Sequence, residues 1–237
     1  MKKLLRIILG DKYPNFVKIF WRLNAIIYPL IFKKKGTLVY AGINVGDSFQ
    51  KTFFKYKTVY GFEPNPVNYK KLNLFNKYKG VKIYNCALSD KEGKMSFFLP
   101  DNANNVSASL SEFSEDNPLK SKRTIQVKVI NLLDFLKKQK VDYIDFYLSD
   151  IEGYDFIVLT TIKEYIDYKK IKVIQVEALN NDTLNTFKNI SNYEYEFDEL
   201  LKENYNKTGR GSGDVKAGEN FSGASGITLD LLYELKN

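Results

Sequence analysis

The chain has 237 residues, 44% of them hydrophobic and 15% aromatic, with one cysteine, Cys86, and no histidine. Length and composition suit one globular domain; the lone cysteine excludes an internal disulfide framework or a cysteine-built zinc site, and the missing histidine excludes Ser-His-Asp and Cys-His nucleophilic machinery. The formal charge of +8 is confined to residues 1–36, where nine lysines and arginines face only Asp11, leaving 27 basic against 27 acidic residues beyond Gly36.

Any general base must therefore be a carboxylate, Tyr, Lys or water. Sparse cysteine usage makes a reducing, cytoplasmic location the default. The neutral remainder has no excess positive charge to attract phosphates, so no nucleic-acid partner is expected.

In chain order, residues 1–36 form a basic, aromatic N-terminal appendage. Residues 13–32 are apolar but interrupted by Lys18, Arg22, Pro14 and Pro29, which argues against a membrane span. The opening MKKLLRIILG has neither a long apolar stretch nor a small-residue cleavage site, so no secretory signal is expected. A helix bearing Phe16, Phe20, Trp21 and Ile27 either packs on the core or lies in a membrane interface with its cations on anionic headgroups. The domain proper, 37–237, opens with strand 37–46, helix 47–54 and strand 58–63. Helix 68–78 and strand 81–86 follow, then strands 94–99 and 124–130 around a polar insertion at 101–122. That insertion is either a piece of the active face or a disordered loop. Beyond it lie helix 131–139, a central strand 141–148, strand 171–177, helix 183–190, and a segment 193–201 of mixed signals. Residues 206–226 carry six of the fourteen glycines and are expected to form an irregular loop, a flexible connector or a lid. Strand 227–235 completes a largely parallel sheet covered on both faces.

The informative spacing is Gly42-Ile-Asn-Val-Gly46 followed 17 residues later by Glu63 within Val59-Tyr-Gly-Phe-Glu-Pro-Asn-Pro66. In nucleotide-binding α/β folds the first strand ends in a glycine turn, and an acid ending the second strand hydrogen-bonds the ribose hydroxyls. Pro64 and Pro66 fix the backbone just past that acid. Asn44 stands where a dinucleotide fold needs its second glycine for pyrophosphate approach. The cofactor read from this spacing is a nucleoside without a diphosphate, such as S-adenosylmethionine.

With Cys86-Ala-Leu-Ser-Asp90, Gly93 and Asp150-Ile-Glu152-Gly153 added, the chain resembles the FkbM family of S-adenosylmethionine-dependent methyltransferases from about residue 37 to about residue 177. The resemblance implies a Rossmann-like class I methyltransferase fold: a mostly parallel seven-stranded sheet, helices on both faces, and a final antiparallel strand. By that resemblance Gly42, Asn44 and Gly46 wrap the methionine moiety, Glu63 holds the ribose, with Asn65 beside it, and Cys86, Ala87 and Leu88 flank the adenine. Asp150, Glu152 and Glu177, at the carboxyl edge of the sheet, are the candidate catalytic carboxylates; the competing reading gives Glu152 and Glu177 helix-start roles and lets Asp150 order a turn. No metal is assigned, although oxygen-only magnesium sites need no histidine. Two departures stand out: Tyr40 where the family usually has Asp, and Leu148 where it usually has Lys. The resemblance implies O-methylation of a hydroxyl on a sugar or surface glycan, or on its lipid-linked precursor at a membrane surface. The alternative is a catalytically inactive binding or scaffold protein on the same fold.

Overall fold

The computed structural model describes residues 13–100, 107–114, 123–181, 187–188, 190–211 and 228–237. Helix α1 (Tyr13–Ile31) precedes strands β1 (Lys35–Ala41) and β2 (Tyr56–Phe62), helix α2 (Pro66–Leu72), and strands β3 (Val81–Tyr84), β4 (Ala87–Ser89), β5 (Gly93–Leu99) and β6 (Arg123–Asn131). Then come α3 (Leu132–Lys138), β7 (Phe146–Ser149), α4 (Asp155–Thr161), α5 (Lys163–Asp167), β8 (Val173–Leu179), α6 (Glu194–Leu201), β9 (Tyr205–Gly211) and β10 (Thr228–Leu235).

Seven strands form one sheet in the order β3-β2-β1-β7-β8-β10-β9, parallel except for β10, which runs antiparallel to both neighbours. Leu38, Val39, Tyr40 and Ala41 of β1 are all buried, as a strand covered on both faces requires. The larger core lies on the face carrying α3, α4, α5 and α6. The other face packs β1, β2 and β3 under the aromatic segment 49–56 and part of α1. A small second sheet, β4-β6-β5, adjoins the domain.

Several expectations need correction. Residues 47–54 are not one helix but two 3-10 turns, Phe49–Lys51 and Phe53–Lys55. The break at Thr52 re-aims the second turn against the first, and Phe49, Phe53 and Phe54 are all buried. The expected helix 68–78 is α2 plus a 3-10 turn, Asn73–Lys77. Residues 206–211 are not irregular but belong to β9, where Gly209 and Gly211 pair with Leu232 and Asp230 of β10; ladder pairing overrides glycine's weak strand preference. The remainder of that glycine run, 212–226, lies outside the described residues. Of the expected helix 183–190, residues 183–186 and 189 also lie outside, and Phe187 makes an isolated bridge to Phe113. The insertion is described over 107–114, where Ser109 bridges Phe98, and Leu110 and Phe113 are buried. Strand β4 was not anticipated, and the mixed segment resolves as α6.

In α1, Ala25 is buried and Tyr28 meets Phe54 edge-on at 5.2 Å, while Ile19, Leu23, Ile26, Ile27 and Leu30 stand exposed. The side chains of Phe16 and Trp21 lie outside the described residues.

Candidate active site

After β1 the chain turns through Gly42, Asn44 and Gly46 with φ of +77°, +54° and +90°. A Cβ on Gly42 would fall 1.8 Å from the Asp150 carbonyl oxygen, so no side chain fits there. The turn is tied to the second strand, because the Gly42 and Ile43 amides both donate to the Phe62 carbonyl. One residue later Glu63, 4% exposed, completes the join. Its Oε2 accepts from the Asn44 amide at 2.7 Å and its Oε1 from the Asn65 amide at 2.9 Å. The side chain of Asn85 donates to the carbonyls of Glu63 and Pro64, fixing the segment from behind. Burial pushes the Glu63 carboxyl up to about 7, with the Asn65 and Asn44 amides opposing the rise.

Asn65 caps α2 by accepting from the Val67 amide at 3.0 Å, and Asn68 donates to Asn44 Oδ1 at 3.0 Å. Proline at the first helical position and asparagine before it favour a helix start here. The Pro-Asn-Pro run thereby connects the acid, the glycine turn and α2 into one hydrogen-bonded unit.

A cleft opens above this unit, and the predicted Gly42, Asn44, Glu63, Asn65, Cys86, Ala87, Leu88, Asp150 and Glu152 all line it. Gly46 does not; it faces Leu72 and Phe75 and supports the turn from below. The Cys86 thiol is buried, and that burial raises it to about 12 despite Lys128, so it forms a neutral wall. Phe62, Phe97 and Leu110 extend the apolar lining. A fixed carboxylate with unused lone pairs, set among apolar walls, is a donor set that fits a nucleoside.

The opposite rim is acidic. Ser149 ends β7, and the next turn places Glu152 at φ +55° and Gly153 at +97°. A Cβ on Gly153 would meet the Phe187 ring at 2.5 Å. Ser109 Oγ donates to the Glu152 carbonyl at 2.6 Å, so the polar insertion helps to hold this turn. Glu177, near the end of β8, is not part of the cleft lining, yet it joins Asp150 and Glu152 in a group whose carboxylate oxygens lie within 4.8 Å of one another. Asp150 is exposed at the cleft rim, yet desolvation by the protein packed around it lifts its carboxyl to about 6. Glu152 and Glu177 are held well above the usual range by burial and by their neighbouring carboxylates.

Glu152 does not cap the following helix: α4 begins at Asp155, preceded by Tyr154 without a side-chain cap. The residue that orders the turn is Asp155, which the sequence reading missed. It is fully buried, and its Oδ1 accepts from Ser149 Oγ at 2.5 Å and from the Ile151 amide at 3.3 Å. Burial lifts its carboxyl to about 7, opposed by the Ser149 hydroxyl. In sequence it is only an acid opening an apolar helix, which ordinary dipole preference explains.

Tyr40 and Leu148 are direct partners on adjacent parallel strands. Both line a groove away from the cofactor cleft, with Tyr40 edge-on to Phe49 at 5.6 Å. The two departures therefore fall on neighbouring positions of β1 and β7, in a groove that Lys51 and Lys172 also line.

A doubly wound sheet with one reversed strand, a glycine turn at its leading edge and an acid ending the second strand define a Rossmann-like fold of the class I methyltransferase kind. More narrowly, the chain belongs to the methyltransferase FkbM domain family, whose model matches residues 41–205, well over half its length. Among solved structures it is similar to the methyltransferase FkbM of Methylobacillus flagellatus at 14% identity and TM-score 0.48, covering 86% of this chain and 45% of that one. It thus spans less than half of that relative. It is also similar to an S-adenosylmethionine-dependent methyltransferase of Clostridium acetobutylicum (10% identity, TM-score 0.42, 96% of this chain and 100% of that one). A third similar structure is an rRNA methylase of Streptococcus thermophilus (9% identity, TM-score 0.43, 91% and 95%). No curated protein matches the chain at a significant level. The expected absence of a nucleic-acid partner is corrected here: structures similar to this chain include an rRNA methylase, so that expectation does not hold.

Proposed function

We propose that the chain O-methylates a hydroxyl of a sugar or surface glycan, or of its lipid-linked precursor, with a carboxylate at the ends of β7 and β8 taking the hydroxyl proton. The observation that carries this reading is the acidic rim of Asp150 and Glu152 facing Glu63 across one cleft, with no lysine or arginine among the described lining residues. S-adenosylmethionine supplies, when bound, a methyl group already activated by its sulfonium. Glu63 would anchor the ribose hydroxyls, and the turn it braces would orient the methionine end. Asp150, lifted only to about 6, is largely ionised at neutral pH and can accept the proton as the acceptor oxygen bonds to the methyl carbon. In-line alignment of this kind contributes roughly 7 to 11 kcal/mol, and a positioned base a further 10²- to 10⁴-fold or so. Positioning therefore outweighs proton transfer.

Tyr40 and Leu148 suggest the alternative of a noncatalytic binding protein, but neither lines the cofactor cleft. Tritiated methyl transfer from the donor to a glycan pool tests the proposal. Asp150→Asn should lower turnover by about a hundredfold while leaving S-adenosylhomocysteine affinity within a few-fold. Donor binding without transfer to any hydroxylated acceptor would favour the noncatalytic reading.

A further inference from the structure

We infer that Asp150, Glu152 and Glu177 hold a hard divalent cation, of the magnesium or calcium kind, whose remaining coordination positions open toward the acceptor. The inference rests on the methyltransferase reading above and deepens it by giving the acidic rim a second duty.

Three carboxylates meet where β7 and β8 end, with ligand oxygens no more than 4.8 Å apart. Oxygens bound to one calcium at about 2.3–2.6 Å can stand up to roughly 5 Å apart, and those on magnesium about 4 Å, so either ion is reached with little movement. An acidic cluster alone is common on protein surfaces; this one is distinguished by what surrounds it. Glu177 Oε2 is sealed from solvent and receives no hydrogen bond, while the rest of this partly buried carboxyl is held by the Thr228 hydroxyl. Asp155, fully buried beside the cluster and acting electrostatically on Glu152 and Glu177, likewise leaves Oδ2 without a partner. Orphaned buried carboxylate oxygens are costly unless something positive completes them. No lysine or arginine among the described residues lines this cleft, and the chain has no histidine. The donor set is purely carboxylate, which selects hard, oxygen-seeking ions over zinc or copper.

Geometry also favours an ion open on one side. Glu152 sits in the left-handed backbone region, an unusual conformation for a non-glycine residue, held there by Ser109 on its carbonyl and by Phe187 against Gly153. Its carboxylate is thereby brought toward Asp150 and Glu177 rather than toward the helix start. Asp150 and Glu152 also line the cleft, so an ion on them would present its free positions to acceptor oxygens. An acceptor with two neighbouring hydroxyls matches that arrangement.

Manganese, which reports on its own coordination, tests the site without any methyl transfer. The full chain is titrated with manganese chloride alone and the paramagnetic signal of the free ion is followed. A single ion should bind per chain, displaced by magnesium or calcium but not by potassium; which of the two displaces it more readily identifies the resident kind. Glu177→Gln and Asp150→Asn should each weaken binding by at least about tenfold, while S-adenosylhomocysteine titration shows that both variants remain folded. An undiminished free-ion signal at roughly millimolar manganese, or variants that bind as the parent chain does, would overturn the inference. Should the homocysteine product bind and manganese not, the metal site falls and the methyltransferase reading stands; should the product itself fail to bind, that reading falls whatever manganese does.

Discussion

At the scale of single residues, Glu63 carries two jobs that pull against each other. It is an acceptor for two backbone amides and the intended acceptor for ribose hydroxyls, yet it is buried where charge is penalised, which lifts its carboxyl to about 7. The sign follows directly. A carboxyl raised on folding, here from 4.5 to about 7, contributes stability that is complete below the unfolded value and is lost as pH rises through the folded one. Asp155, raised from 3.8 to about 7, acts in the same direction. The melting temperature of the cofactor-free chain should therefore fall between pH 5 and pH 8, and cofactor affinity should rise over the same span as Glu63 ionises. Glu63→Gln does not titrate, so it should flatten the affinity dependence and leave the melting dependence to Asp155; its amide group must also turn a donor toward the Asn44 or Asn65 amide. Losing a charge-assisted bond worth about 1.5–3 kcal/mol, it should bind S-adenosylhomocysteine at least about tenfold more weakly at pH 8; calorimetric titration at several pH values checks this. Glu63 was legible in sequence because topology alone puts an acid at that strand end. Asp155 was not, since its buried contact with Ser149 depends on how the turn between them folds back.

Elements differ in how much their own residues dictate. Strands β1 and β2 read clearly because each ends in an apolar run buried on both faces, whereas β7 and β8 alternate buried and half-buried residues, and the expected strand 141–148 shortens to Phe146–Ser149. Helix α3 read clearly because Asn131 caps it, accepting from the Asp134 amide at 3.2 Å. Strand β9 did not read at all: its glycines lower local preference, and only a distant partner, β10, supplies the ladder that makes it a strand. The two 3-10 turns after β1 were hidden for a related reason, since the demand that three phenylalanines face one core is tertiary. The β1–β7 pair offers a direct test of what holds the sheet's centre. Tyr40→Asp would put a charge beside Leu148 in a groove that Lys51 and Lys172 also line, and should lower stability in urea denaturation, whereas adding Leu148→Lys should recover part of the loss. Equal destabilisation by the single and double variants would show that the two side chains do not interact.

Across the whole molecule, charge and exposed apolar surface gather at the same end. The first 36 residues hold the entire net charge of +8, and α1 exposes Ile19, Leu23, Ile26 and Leu30 beside Lys33 and Lys34. No helix among the described residues is long and apolar enough to cross a membrane. An amphipathic helix lying in a headgroup layer needs no such length, and this arrangement would suit a lipid-linked acceptor. Vesicles containing phosphatidylserine should sediment with the chain at low salt and release it as ionic strength rises, and Leu23→Glu with Ile26→Glu should abolish the association; equal binding to neutral and anionic vesicles would count against it. The double departure at Tyr40 and Leu148 bears on descent as well as on stability. If relatives carry an acid and a lysine there, the route between the two arrangements crosses an intermediate with one of the two charges and not the other. Drift along that route is slow in single steps, so the two positions should co-vary, and lineages should divide into those that keep both charges and those that have neither.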